Sequence, residues 1–159
     1  MLPVAEFMAT LPKKRMASTA VIRNTAGELL LVKPSYRPEW LLPGGMVEAD
    51  ESPHAACKRE TLEEIGLDLP IGRLLSLAYQ SKDGDYTEAL MFAFDGGVLS
   101  AQQIAEIHLQ ANEISACQFL SLAAALPLLP IKMLPRITAA MAALVNGTTA
   151  YLDDGHPIR

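Results

Sequence analysis

The segment Gly45-Met-Val-Glu-Ala-Asp-Glu51-Ser-Pro-His-Ala-Ala-Cys-Lys-Arg59-Glu60-Thr-Leu-Glu63-Glu64-Ile-Gly66-Leu67 constrains this chain more than any other stretch, because it sets the ends of one helix and its chemistry together. Asp50 or Ser52 can cap the helix, Pro53 suits the first turn, where a missing N–H costs nothing, and Gly66 suits the C-terminal stop. A helix is therefore expected over Pro53 to Ile65. On it Glu60, Glu63 and Glu64 stand at i, i+3 and i+4 and are predicted to share one solvent-open face, with Ala55, Leu62 and Ile65 turned towards a core. Like charges at this spacing destabilise a helix by roughly 0.2–0.5 kcal/mol per pair, and Arg59, which can reach Glu63 one turn on, neutralises only one of them. A hard divalent cation would remove the remaining repulsion. A preference for oxygen ligands, few carboxylates and substrate phosphate points to Mg²⁺, and Mn²⁺ could use the same donors.

The order Gly45, five residues, Glu51, seven residues, Arg59-Glu60, two residues, Glu63-Glu64, one residue, Gly66 and then the aliphatic Leu67 resembles the Nudix box, the signature of the Nudix hydrolase family. Every charged and glycine position is present, and Thr61 stands where the family usually has a bulky aliphatic residue. Before the box, Trp40-Leu-Leu-Pro43-Gly44-Gly45 is similar to the family's approach strand and proline-glycine-glycine turn. After it, Asn112-Glu113-Ile114 with Phe119-Leu120 resembles the later acidic turn and strand, so the likeness covers about Ala17 to Leu122. It implies an α/β fold, the Nudix α/β/α sandwich with a mixed sheet between helices. The pattern of elements alone gives only an α+β domain.

The resemblance also implies a Mg²⁺-dependent hydrolase that breaks a phosphoanhydride bond of a nucleoside diphosphate linked to another moiety. By that likeness Glu60, Glu63 and Glu64 hold the metal, with Gly45 counted in the metal site, and Glu63 or Glu64 also holds the attacking water. Arg59 would orient Glu63, Glu51 would sit near the metal or brace Arg59, and Gly44 would shape the turn into the substrate site. A general base outside the box is sought first at Glu113, then at Glu106 and Glu88. His108, in Ile107-His108-Leu109, reads instead as an outward residue of an extended segment. Tyr36 and Arg37 are the first candidates for substrate contact. Trp40, Tyr79 and Tyr86 could also stack on a base, and Lys33 and Lys82 could meet phosphates. The same fold hosts an isomerase of isoprenoid diphosphates, whose chemistry would require a reactive cysteine, and a catalytically silent ligand-sensing module is the other alternative.

At 159 residues, half of them hydrophobic, the chain is expected to form one domain over 1–159, with an arm at 1–14 and a C-terminal helix and tail at 135–159. A net charge of -5 gives no general basic surface, so a small phosphorylated nucleotide is a better partner than nucleic acid or an anionic membrane. Cys57 and Cys117 show no zinc spacing and read as reduced, buried thiols of a cytoplasmic protein. Lys13-Lys14-Arg15 follows the apolar Met1–Thr10 stretch, the reverse of an export signal, so that stretch is expected to be a surface arm. Strands are expected at Met16 to Arg23, Glu28 to Lys33, around Trp40, Arg73 to Gln80, Tyr86 to Phe94 and Cys117 to Leu120, and a helix at Pro135 to Val145. The apolar run from Phe119 to Val145 exceeds what one amphipathic helix needs, which makes a homodimer an expectation.

Overall fold

A computed structural model describes residues 2–158, so Met1 and Arg159, the outer ends of the expected arm and tail, lie outside the described residues. In chain order the elements are α1 (Val4–Thr10), β1 (Arg15–Asn24), β2 (Leu29–Pro34), β3 (Gly44–Met46), α2 (Pro53–Ile65), β4 (Leu74–Gln80), β5 (Ala89–Leu99), α3 (Ala101–Ala105), β6 (Ile114–Leu120), α4 (Leu122–Ala125), α5 (Leu134–Asn146), β7 (Ala150–Asp153) and β8 (His156–Ile158). The strands make one mixed sheet in the order β6-β2-β1-β5-β4-β7-β8, with β3 paired to β1 beside that path. The parallel pair β1–β5 lies at its centre, and the remaining neighbours are antiparallel except β4–β7.

Alternation along the central strands sends side chains to two separate cores. Ala20, Ile22, Leu30 and Val32 pack with Cys57 and Ile65 of α2 on one face. Val21, Leu29 and Leu31 pack with Ile137, Ala140 and Ala143 of α5 on the other. Because both faces are covered, β2 reads as a continuous apolar run from Leu29 to Val32, and β1 is apolar at Ala20-Val21-Ile22, where both cores meet it. Ile22, Leu30 and Leu31 are fully buried, each contributing roughly 1.5–3 kcal/mol. The result is the expected mixed α/β sandwich.

The β1–β2 hairpin closes through Asn24, whose Oδ1 accepts from the Ala26 and Glu28 N–H groups at 3.0 Å each. Several expectations need correction. No strand forms at Trp40; Leu41 makes a single bridge to Val32, and the pairing strand is β3. Tyr86 closes a turn with Asp83, so β5 begins later than expected and runs on to Leu99. The arm contains a helix, α1, with no buried residue, and α3 and the β7–β8 hairpin were not expected. Cys57 is buried, but Cys117 is only half-buried because β6 is an edge strand. The apolar run near the C-terminus is largely used inside the chain, where Ala125, Leu129, Met133 and Ile137 cover the second face of the sheet. No described helix is long and apolar enough to cross a membrane.

Candidate active site

Helix α2 begins where Ser52 Oγ accepts from the Ala55 N–H at 3.1 Å, with Pro53 in its first turn, and ends at Gly66. Its buried residues are Ala56, Cys57, Thr61, Glu64 and Ile65, whereas Ala55 and Leu62 are exposed, contrary to expectation. Cys57, Thr61, Glu64 and Ile65 follow an i, i+4, i+7, i+8 stripe, and that stripe lies on the sheet. The three glutamates therefore do not share one open face. Glu64 belongs to the buried side, Glu60 is half-buried beside it, and Glu63 points out.

Two glycines of β3 receive the two inward acids. The Gly44 N–H donates to Glu64 Oε2 at 2.9 Å. Gly44 has φ 145°, and a Cβ there would lie 2.1 Å from the Ser18 carbonyl oxygen, so no other residue fits. At Gly45 a Cβ would lie 2.4 Å from the Glu60 carboxyl carbon, so the missing side chain is what admits that carboxylate. Burial pushes the Glu64 carboxyl up to about 8, with the charges of Glu60, Glu113 and Glu63 adding to it against the Gly44 hydrogen bond. Burial likewise raises Glu60, although Arg59 opposes it.

Arg59 ties the acids together. Its Nε and Nη2 donate to the two oxygens of Glu51 at 2.8 and 2.9 Å, its Nη1 to Glu60 at 2.8 Å, and its Nη2 to the Met46 carbonyl at 3.1 Å. The Glu63 contact is longer, at 3.3 Å. Arg59 thus orients Glu60 more than Glu63, and of the two roles expected for Glu51 the structure shows the brace on Arg59. That pairing, helped by the Glu48 N–H, holds the Glu51 carboxyl down at about 2.

Among the described residues no three His, Cys, Asp or Glu side chains are gathered into a group able to hold a metal ion. Arg59 engages Glu60 and Glu63, and Gly44 engages Glu64. The donor set nonetheless suits a hard divalent cation. All three donors are carboxylates, and Glu64 is a buried acid whose charged form lacks a cationic hydrogen-bond partner.

Of the acids outside the box, Glu113, just before β6, is the one whose charge bears on both Glu60 and Glu64. Glu88 is held by Lys14 at 2.6 Å and the Tyr79 hydroxyl at 2.7 Å, and Glu106 accepts from Gln102 at 3.1 Å. His108 is exposed while Ile107 and Leu109 pack on the core, in a loop and not a strand. Cys57 is fully buried and burial pushes its thiol up to about 12, so Cys57 is not a reactive cysteine of the kind isomerase chemistry needs.

A cleft of about 520 Å³ opens on the other side of β3, and Gly44 and Gly45 form part of its wall. Tyr36, Arg37 and Tyr86 line it. Trp40 packs against the second core and Lys33 donates to the Arg37 and Pro38 carbonyls, so neither serves the cleft. Tyr79 and Lys82 line a smaller neighbouring cavity of about 290 Å³. Arg15, Phe92, Lys132 and Arg136 also line the large cleft and were not singled out in sequence. They come from three distant segments, which only the folded register brings together.

The NUDIX domain model matches residues 13–143, and the chain belongs to the Nudix hydrolase family. It is 40% identical over 72 residues to the human diphosphoinositol polyphosphate phosphohydrolase NUDT4B, a match covering 45% of this chain and 40% of that protein. The chain thus matches less than half the length of that curated relative. Among solved structures it resembles a UDP-X diphosphatase, with TM-score 0.73 and 25% identity over 94% of this chain and 73% of that one. It also resembles a MutT protein from Methanosarcina mazei Go1, with TM-score 0.70 and 26% identity over 85% of this chain and 99% of that one.

Proposed function

We propose that the chain hydrolyses a phosphoanhydride bond of a nucleoside diphosphate linked to another moiety, with Mg²⁺ or Mn²⁺ held by Glu60, Glu63 and Glu64. The observation that carries this reading is the position of Gly44 and Gly45, whose backbone touches both inward acids on one side and walls a cation-lined cleft on the other. The names of the curated relative and of the diphosphatase above both refer to a diphosphate, which supports the reaction class. A bound divalent cation would withdraw charge from the phosphoryl oxygens and lower the pKa of a coordinated water.

The chain's own residues have separable tasks. Gly44 fixes one oxygen of Glu64 and leaves the other for cation or water. Arg59, itself braced by Glu51, holds Glu60 beside Gly45. Glu113 is the base candidate outside the box, a role supported by its charge bearing on both Glu60 and Glu64. Tyr36, Arg37 and Tyr86 offer the base and phosphates of a substrate stacking and charge at the cleft wall.

The test is turnover of a panel of nucleoside di- and triphosphates, ADP-ribose and dinucleotides with Mg²⁺, reading released phosphate or monophosphate by chromatography. Glu63→Gln and Glu64→Gln should each lower activity about a hundredfold or more through lost transition-state charge stabilisation, with the fold retained. Full activity in the double variant, or turnover indifferent to a chelator, would refute the mechanism.

A further inference from the structure

The large cleft and the smaller cavity share Gln80, Asp83, Lys132 and Arg136 in their walls, so these residues stand where the two spaces meet. Only the large cleft reaches β3. Its junction end therefore lies away from the two inward acids, on the α5 layer of the sandwich, whereas α2 covers the opposite face. Lys132 is ion-paired with Asp83. Arg136 has no ion pair among the described residues.

Two physical costs attach to a cation at this place. Burial holds the Arg136 guanidinium down at about 10. It also sits in the first turn of α5, where the helix dipole opposes positive charge. Arg136 is half-buried and lines both spaces without an ion pair among the described residues, and the space on either side of it can admit a counter-charge from solution.

We infer that Arg136 is a specificity-determining residue, which takes a phosphate-like anionic group of the substrate lying beyond the scissile diphosphate. This rests on the proposed hydrolase reading, and it selects a substrate class. A nucleoside diphosphate extended by another anion, as in a nucleoside triphosphate, is favoured over one extended by a neutral sugar, as in ADP-ribose. The planar guanidinium can donate two parallel N–H bonds to two oxygens of such a group, a fixed fork that the compact ammonium lacks.

The test compares wild type, Arg136→Gln and Arg136→Lys on a nucleoside triphosphate and on ADP-ribose. The Gln variant should lower the ratio of kcat/KM for triphosphate over ADP-ribose by about tenfold or more, mainly through KM, and the Lys variant should restore part of it. The melting temperature of the Gln variant should equal or exceed that of wild type, since a partly desolvated, unpaired charge is gone. An unchanged ratio, or a lower melting temperature with both substrates losing kcat/KM together, overturns the assignment and makes Arg136 structural. Calorimetry with the triphosphate in chelator separates the two readings. If no substrate is turned over yet wild type binds about tenfold tighter than Arg136→Gln, the hydrolase reading fails and the subsite stands. If turnover is present and that difference is absent, the subsite fails alone.

Discussion

Glu64 shows what a single residue costs this fold. Its carboxyl has an ordinary value of 4.5 and burial raises it to about 8 in the folded chain. The folded state therefore binds its proton more tightly than the unfolded state does. The stability linked to this group is complete below about pH 4.5 and is lost as pH rises towards 8. Metal-free protein should melt at progressively lower temperature across that window, and Glu64→Gln should flatten the slope and melt higher than wild type at pH 8 in chelator. Parallel slopes in thermal scans of the two proteins would count against the buried acid. Glu51 acts in the opposite sense. Lowered to about 2, it contributes stability that is present above about pH 4.5 and lost on acidification. Thr61 is a third residue at odds with its place, fully buried with Oγ1 lacking a hydrogen bond and only the weak Cys57 thiol beside it. Thr61→Val should stabilise the chain by about 1 kcal/mol in denaturant titration, because it removes the unsatisfied hydroxyl at nearly constant shape.

At the scale of elements, α2 was legible in sequence to the residue, since its cap, its first-turn proline and its terminal glycine are local signals. Its orientation was not. The i, i+3, i+4 spacing of the glutamates gave their adjacency, but whether that cluster or the stripe through Cys57 and Thr61 faces the sheet is decided by packing, and packing put Glu64 inside. The β1–β2 and β4–β5 connections carry local turn formers at Asn24-Thr-Ala-Gly27 and Ser81 to Asp85, while α3 and the β7–β8 pair are too short to show a period. Arg59 is the link between helix and turn, so Arg59→Ala should differ from the glutamate variants. It leaves Glu51, Glu60 and Glu63 without their shared cation. Loss of about 1–3 kcal/mol in stability should therefore accompany the loss of rate. An Arg59→Ala protein with reduced turnover and an unchanged melting temperature would mean the network positions the acids without stabilising them.

For the whole molecule, the layer order was legible only through the family resemblance, because the pattern of elements alone implies an α+β domain, and the cleft was not legible, since Arg15, Arg37, Lys132 and Arg136 are assembled from the start of β1, the loop after β2 and the segment entering α5. The same layering changes the ground for a homodimer. The apolar run after Phe119 is mostly spent covering the sheet, so the larger apolar exposure now lies on and beside α1, at Leu2, Val4, Phe7, Met8 and Leu11. A helix of seven residues with none buried is shorter than the roughly 12–15 residues at which an isolated helix becomes even marginally stable in water. It contributes nothing to either core, so deleting residues 2–11 should leave the melting temperature of a single-chain particle within about a degree. If the arm instead packs on a second copy, light scattering should give two chains per particle for the full chain and one for the truncated chain. The melting temperature of the full chain alone should then rise with protein concentration. One chain per particle for both proteins across micromolar concentrations, with superimposable melts, would rule out a homodimer held by the arm.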